Sequence, residues 1–206
     1  MRIKFKKVGR LKYISHLDLQ RTFSTGLIRA GIPVWYSKGF NPHPKLVFAL
    51  TVSVGAESEC ELLDVRLEEP IEREAALAGL RRAFTDEMQI LDVYTPERKF
   101  SEIAWSGYDI TFDGEISSEA VSEMLRSEMI VTRKTKSGEK REDIRPMVKD
   151  VIVDGKNVTA VLSAGNDAYL NPDYLVKAIF ECAGQCECDY AVKRTAMYDK
   201  DMNIFK

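Results

Sequence analysis

The chain has 206 residues, 45% of them hydrophobic, with 30 Lys or Arg against 32 Asp or Glu and a formal net charge of −2. That composition is ordinary for a globular protein, and the length allows one large or two small cores. It excludes a spanning helix, since no apolar run approaches the roughly 20 residues a bilayer needs, and it excludes a disulfide scaffold, since there are only four cysteines. The opening Met-Arg-Ile-Lys-Phe-Lys-Lys alternates charge with hydrophobe and lacks the apolar stretch of a secretory signal, so a cytoplasmic location away from membranes is expected.

The charge is unevenly placed. Residues 1–45 carry ten Lys or Arg against the single acid Asp18, a local net of +9, and hold both histidines, His16 and His43. The remaining 161 residues carry 20 bases and 31 acids, a net of −11. Like charge crowded on one strand and one helix costs stability, which points to a polyanionic partner such as RNA. A solvated basic edge with no partner is the other reading of the same pattern.

In chain order, residues 2–8 alternate as a strand, with Ile3 and Phe5 on one face and Lys4 and Lys6 on the other. A helix is predicted over 16–30, capped by Ser15, lined by Leu19, Phe23 and Leu27, and stopped by Gly31 and Pro33. Strands follow over 46–52 and 63–67, then a helix over 72–84 and a strand over 88–94. This βαββαβ order is the ferredoxin-like pattern, two helices on one face of an antiparallel sheet. The polar, proline-bearing stretch 95–101 is the expected linker between domains over 1–95 and 101–206.

The second domain reads as a similar α+β unit with one surplus strand. Strands are predicted over 103–112, 129–135, 144–153, 158–163 and 189–198, and helices over 117–126 and 172–183. Asn171 suits the cap of the last helix, with Pro172 at its first position. The stretch 134–141 is a basic turn; Arg133, Lys134, Lys136, Lys140, Arg141 and Arg145 form either a second phosphate-contacting patch or an ordinary charged hairpin.

Three features bear on chemistry. Ser15-His16-Leu17-Asp18 places a hydroxyl, an imidazole and a carboxylate together, but the spacing is equally that of a capping box. In Gly39-Phe40-Asn41-Pro42-His43-Pro44-Lys45 two prolines restrict the backbone around His43, and Trp35, Tyr36 and Phe40 alternate with Lys38 and Lys45. Aromatic groups among bases suit single-stranded RNA, although each aromatic alone also suits a core. Cys182, Cys186 and Cys188 are weak metal candidates; the radical SAM spacing Cys-x-x-x-Cys-x-x-Cys would need the third one residue later. No cofactor is expected.

The stretches 12–21, 29–33 and 36–45, with Glu61-Leu62-Leu63-Asp64-Val65 and Asp143-Ile144-Arg145-Pro146, resemble the radical-SAM-linked protein family. Members occur alone or fused to the carboxyl end of radical SAM proteins that carry a cobalamin-binding-like domain. The resemblance implies an accessory or substrate-presenting role beside a radical SAM partner and supplies no catalytic residue. A fainter likeness, of fold only, is to ferredoxin-like RNA-binding and RNA-processing proteins of CRISPR systems. The expected function is a noncatalytic protein that binds tRNA or rRNA and presents it to the partner. The contacts would come from Lys6, Lys7, Arg10, Lys12, His16, Arg21, Lys38, Phe40, Asn41, His43, Lys45, Arg141 and Arg145. The alternatives are a metal-independent ribonuclease using His16 or His43, and a protein-docking module that binds no RNA.

Overall fold

The computed structural model describes residues 1–135, 138–165, 168–183 and 187–206. It is a mixed α+β protein with four α-helices among the described residues and mostly antiparallel sheet. The chain divides into two compact units, Met1–Phe100 with Lys206, and Ser101–Phe205. Among the described residues no helix is long and apolar enough to cross a membrane.

The first unit runs β1 (Arg2–Lys7), α1 (His16–Arg29), β2 (Leu46–Phe48), β3 (Glu57–Val65), α2 (Arg73–Ala83) and β4 (Ile90–Tyr94). Its strands pair antiparallel in the order β4-β1-β3-β2. Alternation in β1 sends Ile3 and Phe5 into a core shared with Leu63 and Val65 of β3 and with Leu19, Phe23 and Leu27 of α1. Ala76 and Leu80 of α2 complete it. The helices approach closely where glycine stands: a Cβ on Gly79 would lie 2.4 Å from the Ala30 carbonyl oxygen, and one on Gly26 would lie 2.3 Å from the Phe84 ring.

Two strand lengths differ from expectation. β2 ends at Phe48 rather than 52, although Ala49 still donates to the Leu62 carbonyl at 3.0 Å. β3 begins at Glu57 rather than 63, through a stretch whose acids hide its pairing with β1.

β1 also departs from its reading as a cationic face. Arg2 is fully buried, with Nε and Nη2 on the two carboxylate oxygens of Asp64 at 2.7 and 2.9 Å. It further donates to the Lys206 and Arg98 carbonyls and lies 4.1 Å from the centre of the Phe100 ring. Lys7 is 3% exposed and points its ammonium at the Lys12 carbonyl.

The second unit runs β5 (Trp105–Phe112), α3 (Ser118–Met124), β6 (Ile130–Thr135), β7 (Gly138–Asp143), β8 (Val148–Asp154), β9 (Asn157–Ser163), α4 (Pro172–Ala183) and β10 (Tyr190–Tyr198). The order β10-β5-β9-β8 forms its antiparallel sheet, while β6 and β7 pair only with each other. The basic stretch 134–141 is therefore largely the two arms of a hairpin, and the strand expected from 144 starts at Val148 after a short 3-10 turn, Arg145–Met147. Asn171 caps α4 by accepting from the Asp173 N–H at 3.1 Å.

That 3-10 turn is locked from both sides. Asp143 Oδ1 accepts from the main-chain N–H of Met129 at 2.8 Å and of Arg145 at 2.9 Å. Arg145 in turn donates Nε to the carbonyl of Leu125, the C-cap of α3, and Nη1 to the Val148 carbonyl at 2.8 Å. The Asp-Ile-Arg-Pro motif thus joins the end of α3 to the start of β8.

Candidate nucleic-acid interface

The segment between α1 and β2 is held at its base by the end of β3. Trp35 donates its main-chain N–H to the Arg66 carbonyl at 2.9 Å, and Arg66 donates to the Lys45 carbonyl at 3.3 Å. The Arg66 guanidinium lies over the Trp35 ring at 4.1 Å, a cation–π contact that fixes both groups. Tyr36 and Pro44 form an isolated bridge above this base.

Ser37 and His43 close the loop. Ser37 N–H donates to the His43 carbonyl at 2.9 Å, and His43 N–H donates to Ser37 Oγ at 3.1 Å. His43 Nδ1 lies 3.2 Å from the Asn41 carbonyl oxygen and 3.1 Å from Ser37 Oγ. A carbonyl only accepts, so this contact needs the proton on Nδ1, and Nε2 has no hydrogen-bond partner among the described residues. Gly39 takes a φ of +145°, a conformation in which a side chain would be strained.

At the tip, the Phe40 side chain is wholly exposed, at 109% of its reference area. Burying such a ring is worth about 1.5–3 kcal/mol, a gain this fold leaves unused. Lys38, Asn41, His43 and Lys45 are exposed around it, and neither lysine has an ion pair among the described residues. The closed loop therefore offers a free aromatic ring on a segment that also carries the exposed Lys38 and Lys45.

The other expected contacts fall elsewhere. Lys6 pairs with Glu59 at 3.7 Å, Arg10 with Glu87 at 3.7 Å, and Arg21 with Asp18 at 3.2 Å. The half-buried Lys12 sets its ammonium 5.3 Å from the Tyr13 ring centre. Folding thus brings acids from β3 and from the turn before β4 against the basic amino terminus. Lys7 is buried, and the half-buried Arg145 has its guanidinium on two main-chain carbonyls. Arg141 is exposed on β7, opposite Thr132.

Ser15 caps α1: Asp18 N–H donates to Ser15 Oγ at 3.1 Å, and the Ser15 hydroxyl itself donates to Asp18 Oδ2 at 2.7 Å. That hydroxyl, and next the Arg21 guanidinium, hold the Asp18 carboxyl below the ordinary aspartate range. His16 is exposed, 3.2 Å from the Gln20 amide and edge-on to Phe48 at 5.4 Å. No hydrogen bond or ring contact joins it to His43 among the described residues.

Of the carboxy-terminal thiols, Cys188 is free and half-buried. Cys186 and the side chain of Cys182 lie outside the described residues, so the metal candidacy stays with the sequence. Arg66 is the participant that sequence reasoning missed: it follows a strand with no local sign of its stacking on Trp35.

These features define an α+β protein with a hydrogen-bonded loop that displays one exposed aromatic ring. The chain belongs to the family described as uncharacterized protein conserved in bacteria (DUF2344), which it matches over residues 1–172. No curated protein matches it. Among solved structures it is similar to a chain of the archaeal box H/ACA sRNP Nop10–Cbf5 complex, with a TM-score of 0.45 and 9% identity over 94% of this chain. The match spans about half, 46%, of that chain's length.

Proposed function

We propose that this protein is a noncatalytic accessory factor that binds RNA through the 37–45 loop and presents it, as tRNA or rRNA, to a radical SAM partner in the cytoplasm. The observation that carries the reading is Phe40, wholly exposed on a loop closed by Ser37 and His43 and flanked by Lys38 and Lys45. Aromatic stacking contributes about 1–3 kcal/mol per base and tolerates any sequence, while the lysines meet the phosphates. His43 Nε2 adds an acceptor for a base or ribose donor. The partner rests on the resemblance of stretches 12–21, 29–33 and 36–45 to radical-SAM-linked proteins. Each unit places its first strand between its third and fourth once the β6–β7 hairpin is set aside, which supports two ferredoxin-like halves.

The test is salt-dependent retention of total tRNA and rRNA fragments by the intact protein and by Phe40→Ala, with sequencing of what is kept. Selective retention that falls with salt and with loss of Phe40 supports the reading. Retention no better than a generic polyanion control overturns it and moves the loop to protein docking.

A further inference from the structure

Outside the loop, α1 and the end of α2 enclose a groove of about 350 Å³ lined by Arg21, Thr22, Thr25, Gly26, Arg29 and Phe84. Arg21, Thr25 and Arg29 recur every four residues and so share one face of α1, beside the face that buries Leu19, Phe23 and Leu27. Gly26 opens the groove: the Phe84 ring lies over its backbone and packs on Phe23 at 4.7 Å, giving an apolar floor.

Arg21, Arg29 and Thr25 supply the donors of the walls. Arg29 is exposed and has no ion pair among the described residues, and the Thr25 hydroxyl has no protein partner there. Thr22 donates its hydroxyl to the Asp18 carbonyl at 2.8 Å and so gives the groove no donor. Among the described residues Arg21 is held by its exposed pair with Asp18, and such pairs contribute at most about 1 kcal/mol, so an incoming anion can share the guanidinium. No carboxylate lines the groove.

We propose that this groove is a phosphate-ester site, in which Arg29 and, about two turns away on the same face, Arg21 supply the cations and the half-buried Phe84 ring meets the attached sugar or base. Two guanidiniums give fork-shaped donors matched to phosphate oxygens, and a flat apolar floor suits a nucleoside rather than a bare ion. The ester comes either from a polynucleotide backbone or from a free nucleotide. The site needs only its own side chains and adds to the loop without depending on it.

The intact protein is titrated with a single-stranded oligouridylate and, separately, with AMP across a salt series, beside Arg29→Gln, the Arg21→Gln/Arg29→Gln double variant and Phe40→Ala. Both arginines are exposed, so glutamine leaves the helix intact. For a backbone ligand, Arg29→Gln weakens the oligonucleotide about fivefold and lowers the salt slope by about 0.7, whereas Phe40→Ala weakens it with the slope kept. Saturable AMP binding lost in the double variant identifies a free nucleotide instead. The proposal is overturned if the double variant matches the native protein for both probes, even where Phe40→Ala shows the loop to bind, or if the native protein binds neither probe.

Discussion

Ser37 and His43 hold each other through two hydrogen bonds, at 2.9 Å from Ser37 N–H to the His43 carbonyl and 3.1 Å from His43 N–H to Ser37 Oγ. Only the second needs the serine side chain. Ser37→Ala therefore removes one bond from the neck of the loop and costs about 0.5–1.5 kcal/mol locally. The His43 amide should exchange with solvent faster while the melting temperature barely moves, since the loop lies outside the core. Unchanged protection of that amide would show that the hydroxyl does not close the loop.

Arg2 and Asp64 join the first and third strands of their unit. Arg2 is fully buried and Asp64 keeps 31% side-chain exposure, so Asp64→Ala strands a guanidinium with less compensation from water than a surface pair has. We expect a loss of about 3 kcal/mol in urea unfolding, the low end for breaking a buried pair. Arg2→Lys should fail to restore stability, because an ammonium cannot serve both carboxylate oxygens and the two carbonyls together.

Arg145 separates structure from binding. Arg145→Ala leaves the Leu125 and Val148 carbonyls without their guanidinium donor, at a cost of about 1–3 kcal/mol. Any RNA retention seen in the test of the proposed function should stay at the native value when measured below the unfolding transition. A fall in affinity with unchanged stability would return Arg145 to the contact surface.

The α1 cap gives a pH dependence of known sign. Asp18 titrates below its ordinary range because the Ser15 hydroxyl, then Arg21, stabilises its charge. A folded value below the unfolded one means that the stabilisation is complete above the unfolded pKa and is lost as pH falls through the folded pKa. The first turn of α1 should fray in that acidic window. Ser15→Ala should move the Asp18 carboxyl back toward the ordinary aspartate value in an NMR titration; no movement would rule out the hydroxyl as its cause.

The elements legible in advance were those with a one-sided burial pattern. α1 shows an apolar stripe at Leu19, Phe23 and Leu27, and α4 shows its Asn171 cap, because a helix packed on a sheet must repeat its apolar residues every three or four positions. β7 showed nothing of the kind: residues 138–141 are all exposed, so no alternation marks Gly138–Asp143 as a strand. The start of β3 was hidden because Glu57, Glu59 and Glu61 mask a strand in which Ser58, Cys60 and Glu61 are buried.

The same division runs through the candidate site. Local order alone determined the helix cap at Ser15 and Asp18, and the prolines, glycine and aromatic residues that make 39–45 a stiff display loop. Those features rest on bonds and φ angles spanning a few residues. Which cations remain available was decided only in three dimensions. Glu59, Glu87 and Asp64 lie 53, 77 and 62 residues from Lys6, Arg10 and Arg2 along the chain, yet sit within 4 Å of them after folding. Charge counted along a sequence carries no record of such partners, because Coulomb attraction depends on separation in space and on burial rather than on position in the chain.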